Sequence, residues 1–111
     1  MGPFAKTPKP PYYAVIFTSQ RTQADDAEYG EMAEIMVNLA SAQPGFLGAE
    51  STRDADGFGV TISYWQSLED IRNWKQNEAH LAAQEKGKQV WYEQYVTRIC
   101  KVERAYSLNE L

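Results

Sequence analysis

The alternation of apolar and polar positions divides the chain into six elements, the last helix of them read as two stretches. Tyr12–Thr18 (YYAVIFT) is β-branched and aromatic, which predicts a first strand. Tyr13, Val15 and Phe17 fall on one face of it, and Tyr12, Ala14 and Ile16 on the other. A strand with water on one side alternates apolar with polar, so this one expects cover on both faces. Thr22 or Asp25 can cap a helix expected over about 27–42, with Asp25, Asp26 and Glu28 at its positive end. Met32, Ile35, Met36, Leu39 and Ala40 recur at helical spacing and predict one buried stripe. Pro44-Gly45 ends that helix. Residues 46–53 and 58–66 read as a hairpin around the turn Asp54-Ala-Asp-Gly57. Ser67, with Asp70 three residues on, is a capping-box variant opening a helix that buries Leu68, Ile71 and Trp74. Asn77 reads as a break before a second helical stretch over about 79–93, and 95–106 closes as a long strand.

The order is β-α-β-β-α-β. That predicts an α+β, ferredoxin-like unit: a four-stranded antiparallel sheet with both helices on one face. The domain spans 12–106, between a Pro-rich arm (1–11) and a short tail (107–111). Pro3, Pro8, Pro10 and Pro11 remove donors and fix φ, so the arm is expected to be an extended, partly disordered lead-in that adds little to the core. Its deletion should then leave the melting temperature nearly unchanged. Two helices cover one sheet face, and no further segment remains for the other. A second copy of the chain is the economical cover, which predicts a homodimer packed sheet to sheet.

Composition narrows the function classes. At 111 residues and 43% hydrophobic, the chain suits one globular domain. A net charge of −4 argues against nucleic-acid and anionic-membrane partners, whose affinity rests on basic patches. Gly57-Phe58-Gly59 matches the core of an RNA-binding signature, but Asp56, Val60, Thr61 and Ser63 break the rest of it. No run of about 18 apolar residues exists to span a membrane, and no apolar stretch after 1–11 suits a secretion signal. Cys100 is the sole cysteine and is read as a small core hydrophobe in a strand. It permits no intrachain disulfide, no cysteine zinc site is expected, and a lone thiol suits a cytoplasmic location.

His80 is the only histidine. On a wheel drawn for the second helical stretch, Glu85, Lys86, Gln89 and Glu93 mark the solvent side, and His80, Gln84, Gly87 and Trp91 lie opposite. His80 is thus expected to point inward beside an amide and an indole, lining a partly polar cavity. Three roles stay open for it: a hydrogen-bonded core residue, a pocket wall, or a proton-transfer group. His80 is the catalytic candidate, and Trp91, Gln84, Trp74, Tyr64 and Phe17 are the candidate ligand contacts. The aromatics suit a flat aromatic ligand better than a sugar or phosphate. No phosphate loop, Ser/His/Asp order or H-E-x-x-H motif is present.

Four passages carry a resemblance: SYWQSLEDIRNWK at Ser63–Lys75, EAHLAAQ at Glu78–Gln84, VWYEQY at Val90–Tyr95 and VERAY at Val102–Tyr106. Together they resemble the antibiotic biosynthesis monooxygenase superfamily of dimeric α+β barrels, over about residues 12–106, and most of all a small bacterial branch of it. The resemblance implies a cytoplasmic homodimer and two chemistries. Some relatives oxidise polycyclic phenols with molecular oxygen and no prosthetic group or metal, the substrate anion supplying the electrons. Others degrade haem using a first-strand Asn, a Trp, and a His ten residues after it. Here Gln84 stands ten residues after Trp74, His80 only six, and Tyr12–Ser19 contains no Asn, so haem is not the expected cofactor. The expected function is a cofactor-independent monooxygenase for a small aromatic, phenol or quinol type. The alternatives are a non-catalytic dimeric binding or stress-response protein, and isomerase or lactone chemistry with His80 as proton shuttle.

Overall fold

The computed structural model describes residues 3–22, 26–84 and 92–109, with side chains except those of 26–29, 32 and 78–84. Its elements run β1 (Tyr12–Arg21), α1 (Asp26–Ser41), β2 (Phe46–Arg53), β3 (Phe58–Trp65), α2 (Leu68–Gln84) and β4 (Tyr92–Val102). The strands form one antiparallel sheet in the order β2-β3-β1-β4. β1, apolar on both faces, takes an inner position between β3 and β4. The chain is α+β and ferredoxin-like, as its pattern predicts.

Both helices pack on one face. Val15 and Trp65 from the sheet meet Ala40 from α1 and Ile71 and Trp74 from α2 in one core, with Tyr13, Met36 and Phe46 against it. Trp65 is fully buried, stacked on Trp74 at 6.1 Å between ring centres and met edge-on by Phe46 at 5.4 Å. The Ser67 cap forms as expected: its Oγ accepts the Asp70 N–H at 3.1 Å and donates to the Asp70 carboxylate at 2.8 Å. Gly45, at φ +83°, lies so close to Asp70 that a Cβ there would stand 2.0 Å from its Oδ2. The Gln66 N–H donates to the Gly45 carbonyl at 2.8 Å, tying the start of α2 to the end of the α1–β2 turn.

Several expectations are corrected. Of the stripe on α1, Met36 and Ala40 reach the core while Ile35 and Leu39 are exposed, because only one edge of the stripe rests on the sheet. Leu68 is also exposed, at the first residue of α2 and about 120° around the axis from Trp74. Asn77 breaks nothing: α2 runs through it, and its Nδ2 donates to the Asn73 carbonyl at 3.3 Å and to Gln43 Oε1 at 3.2 Å. The expected second helix over 79–93 is therefore helical only to Gln84 among the described residues; 85–91 lie outside them, and Tyr92 and Glu93 belong to β4. β4 stops at Val102 rather than 106 because β1 begins at Tyr12, directly opposite. Cys100 is exposed, not core, on the edge strand opposite Ala14.

The arm docks. The Ala5 N–H donates to Glu50 Oε2 at 3.0 Å, Thr7 Oγ1 and the Tyr12 hydroxyl share a hydrogen bond of 2.9 Å, and Ala5 abuts Gly48. Tyr12 and Glu50 point away from the helices, so residues 3–11 cover one end of the face expected to be bare.

Candidate functional site

Register stacks the helix-facing side chains in rows across β2, β3, β1 and β4. The first row is Phe46, Trp65, Tyr13 and Lys101, and the second is Ala49, Ser63, Val15 and Ile99. These rows carry the tryptophan core, and the Trp65 indole N–H donates to Ser63 Oγ at 2.9 Å. The third row is Ser51, Thr61, Phe17 and Thr97, and the fourth is Arg53, Gly59, Ser19 and Tyr95. Period-2 alternation fixes this grouping, since every second side chain of a strand shares a face.

The chemistry changes along that face. Past Val15 the aliphatic and indole groups give way to hydroxyls, a guanidinium and a cluster of aromatic rings. Ser51 Oγ and Thr61 Oγ1 hydrogen-bond at 2.7 Å. Phe17 lies 5.3 Å from Tyr95 and 5.4 Å from Tyr92, and those tyrosines lie 6.0 Å apart. Arg53 reaches across the backbone of Gly59: its Nη2 donates to Ser19 Oγ at 2.9 Å, and its Nη1 to the carbonyls of Gly57 and Ser19 at 2.5 and 3.4 Å. A Cβ at position 59 would stand 2.9 Å from Arg53 Cζ, so the missing side chain is what lets the guanidinium cross β3. Such a surface presents apolar ring faces at Phe17 and the tyrosines and hydrogen-bonding groups at their rim.

Helix direction decides which sequence candidates share this end. α2 starts just past Trp65, at the first row, and runs back toward the end of the sheet where β4 begins at Tyr92, opposite Arg21. Positions 80 and 84 therefore lie about 9 and 15 Å further along the axis than Trp74, toward the third and fourth rows. The side chains of His80 and Gln84 are outside the described ones, and Trp91 lies outside the described residues. Phe17 belongs to the third row. Trp74 belongs to the core, its ring stacked on Trp65.

Tyr64 lies on the other face of the sheet. Its hydroxyl donates to Glu50 Oε1 at 2.6 Å and its ring meets Tyr12 edge-on at 5.8 Å. Burial, followed by the hydrogen bond to and the charge of Glu50, pushes its phenol well above the ordinary 10.0. It serves the docking of the arm and does not share a face with Phe17 and Trp74. Ser19, Arg53, Thr61 and Tyr95 were missed as candidates. Extending the Val15–Phe17 alternation one step would have marked Ser19, whereas Arg53, next to a turn, reads like any solvated strand end. Among the described residues, no group of three or more His, Cys, Asp and Glu side chains could hold a metal ion.

Residues 12–86 match the family model described as antibiotic biosynthesis monooxygenase. "Uncharacterized protein YqjZ" of Bacillus subtilis (strain 168) is 57% identical over 106 residues, which is 96% of this chain and 92% of that protein. Among solved structures, SnoaB from Streptomyces nogalater, a cofactor-independent oxygenase, is similar with a TM-score of 0.66 at 14% identity, over 91% of this chain and all of that one. A hydroxynitrile lyase from Passiflora edulis is similar with a TM-score of 0.64 at 16% identity, over 90% of this chain and all of that one. At these identities the structural likeness is one of fold, and the fold hosts more than one chemistry.

Proposed function

Because the chain belongs to the antibiotic biosynthesis monooxygenase family, we propose that it is a monooxygenase without a prosthetic group, acting on a small aromatic of phenol or quinol type between its helices and sheet. The observation that carries the reading is the aromatic cluster of Phe17, Tyr92 and Tyr95 on the helix-facing side, beside the hydroxyls of Ser19, Ser51 and Thr61. The likeness to a cofactor-independent oxygenase supports it. The reaction needs little of the protein. A phenolate supplies its own electrons to oxygen; in the simplest case a phenol and one O₂ give a quinone and one water. The site then has to orient the ring, stabilise its anion and keep bulk water out. In this reading His80 removes the phenolic proton, Gln84, Trp91 and Phe17 contact the ring, and Trp74 supports the site from the core. Within a homodimer in the cytoplasm, each chain would carry its own site.

Oxygen uptake by the purified protein over a panel of phenols and hydroquinones tests this. We expect turnover with oxygen consumed, no haem or flavin absorbance, and a loss of about 10²-fold or more for His80→Ala with the fold kept. Ligand-induced spectral change without turnover would instead indicate a binding protein. The likeness to a hydroxynitrile lyase favours a second reading, proton-transfer chemistry with His80 as shuttle. Conversion of a substrate with no oxygen consumed would select it.

A further inference from the structure

We propose that Ser19, held by Arg53, donates the hydrogen bond that receives the oxygen anion of the aromatic ligand; this rests on the reading of the site given above. Ser19 is only 2% exposed and stands in one row with Arg53, Gly59 and Tyr95 on the helix-facing side, one step along β1 from Phe17. Its oxygen accepts the Arg53 Nη2–H at 2.9 Å, and its carbonyl accepts Nη1–H at 3.4 Å. A serine hydroxyl has one hydrogen to give as well as lone pairs to receive. Here one lone pair is engaged, and among the described residues the hydroxyl hydrogen has no acceptor.

A buried polar hydrogen without an acceptor is unusual, because desolvating it is not offset. It has a use if a ligand brings the acceptor. The guanidinium fixes the serine rotamer and draws electron density from Oγ, which makes the O–H a stronger donor to an anion. The neighbouring rings of Phe17, Tyr92 and Tyr95 would place an aromatic ring within reach of that hydrogen, and Tyr95, 40% exposed, marks the open side of the row. Gly59 completes the device, since any side chain there would meet Arg53 on its way to Ser19. Ser19 is thus the anion's partner, and Arg53 and Gly59 are positioning residues.

The probes are 4-nitrophenol, whose phenolate absorbs in the visible, and its methyl ether 4-nitroanisole, which cannot ionise. The wild-type chain should bind both, and bound 4-nitrophenol should ionise at lower pH than the free compound. Ser19→Ala should weaken the phenolate about tenfold, return its ionisation toward the free value, and leave 4-nitroanisole unchanged. Arg53→Gln keeps the serine but not its partner, and should give a smaller loss confined to the phenolate. If Ser19→Ala does not fold, Arg53→Gln decides by the same pair of probes. Unchanged phenolate affinity and ionisation, with both probes bound, would overturn the assignment while leaving the aromatic site standing. Failure of the wild-type chain to bind either probe would overturn both.

Discussion

Tyr64 shows how alternation along β3 and its register with β1 put a side chain on a face of the sheet that a list of aromatics does not reveal. Its phenol donates to a carboxylate that also accepts the Ala5 N–H, so Tyr64→Phe leaves Glu50 with one hydrogen bond fewer and should cost about 1–2 kcal/mol near neutral pH. The pH dependence has a definite sign. An unfolded chain releases this proton near 10.0, whereas burial and Glu50 hold it on the folded chain to higher pH. The contribution is therefore complete below about pH 10 and falls as pH rises above it. Denaturant titrations from about pH 8 to 11 should show a shallower alkaline decline for Tyr64→Phe than for the wild type; equal declines would refute the pairing. Gly45 is the other position where one residue decides much. Gly45→Ala forces a left-handed Ala and drives the Asp70 carboxylate out of the Ser67 cap, together roughly 2–3 kcal/mol. Calorimetry should show a drop of the order of 10 °C, and less of one in the Asp70→Ala background, where the cap is already lost.

At the scale of elements, the arm reverses what its composition suggests. Four prolines forbid helix, and the described residues of the arm hold none, but lack of regular structure is not lack of contact. Extended backbone keeps its N–H and C=O groups available, and Ala5 spends one on Glu50 while Thr7 meets the hydroxyl of the buried Tyr12. Deleting 1–9 removes both bonds and uncovers Tyr12. We expect a loss of about 1–2 kcal/mol, or several degrees in a thermal melt. An unchanged melt would show that the arm's contacts contribute nothing. α2 gives a parallel lesson. Asn is a weak helix former, yet its interior cost of well under 1 kcal/mol is offset when its amide bonds Asn73 and reaches Gln43. The wheel behind the inward reading of His80 assumed a helix from 79 to 93, and a helix that begins at Leu68 and a strand that begins at Tyr92 divide that span differently.

For the whole molecule, the surface is the telling quantity. The chain exposes 8022 Å², whereas a monomer of this size exposes about 6,200 Å². The excess is more than the roughly 800 Å² that a standard interface removes from each partner. Val96 on the face away from the helices, with the exposed Tyr106 and Leu108 beyond the end of β4, contributes to it. A homodimer through that face predicts twice the monomer mass by light scattering at micromolar concentration. Val96→Asp should yield folded monomer, and Ile99→Asp, on the opposite face of the same strand, should not. Equal effects from the two, or a wild-type monomer, would remove the sheet-face dimer.

Strand and helix types, the hairpin at 46–65 and the capping box were legible because they depend on neighbours two to four residues apart, where side-chain period and backbone chemistry act directly. Six elements in that order leave few ways to form a sheet, so the fold class was legible too. The candidate site was only partly so. Phe17 could be placed on a strand face from alternation, but which face the helices would take is set by packing between distant segments, and that Tyr64 and Phe17 part company is set by the β1–β3 register. The Arg53–Gly59–Ser19 row joins three strands, and no local pattern encodes a guanidinium crossing a glycine to a serine 34 residues away in sequence. Sequence determined the elements because their physics is short-ranged. Tertiary structure alone decided the rows, the docked arm and the buried hydroxyl, because each exists only where register brings distant residues to one place.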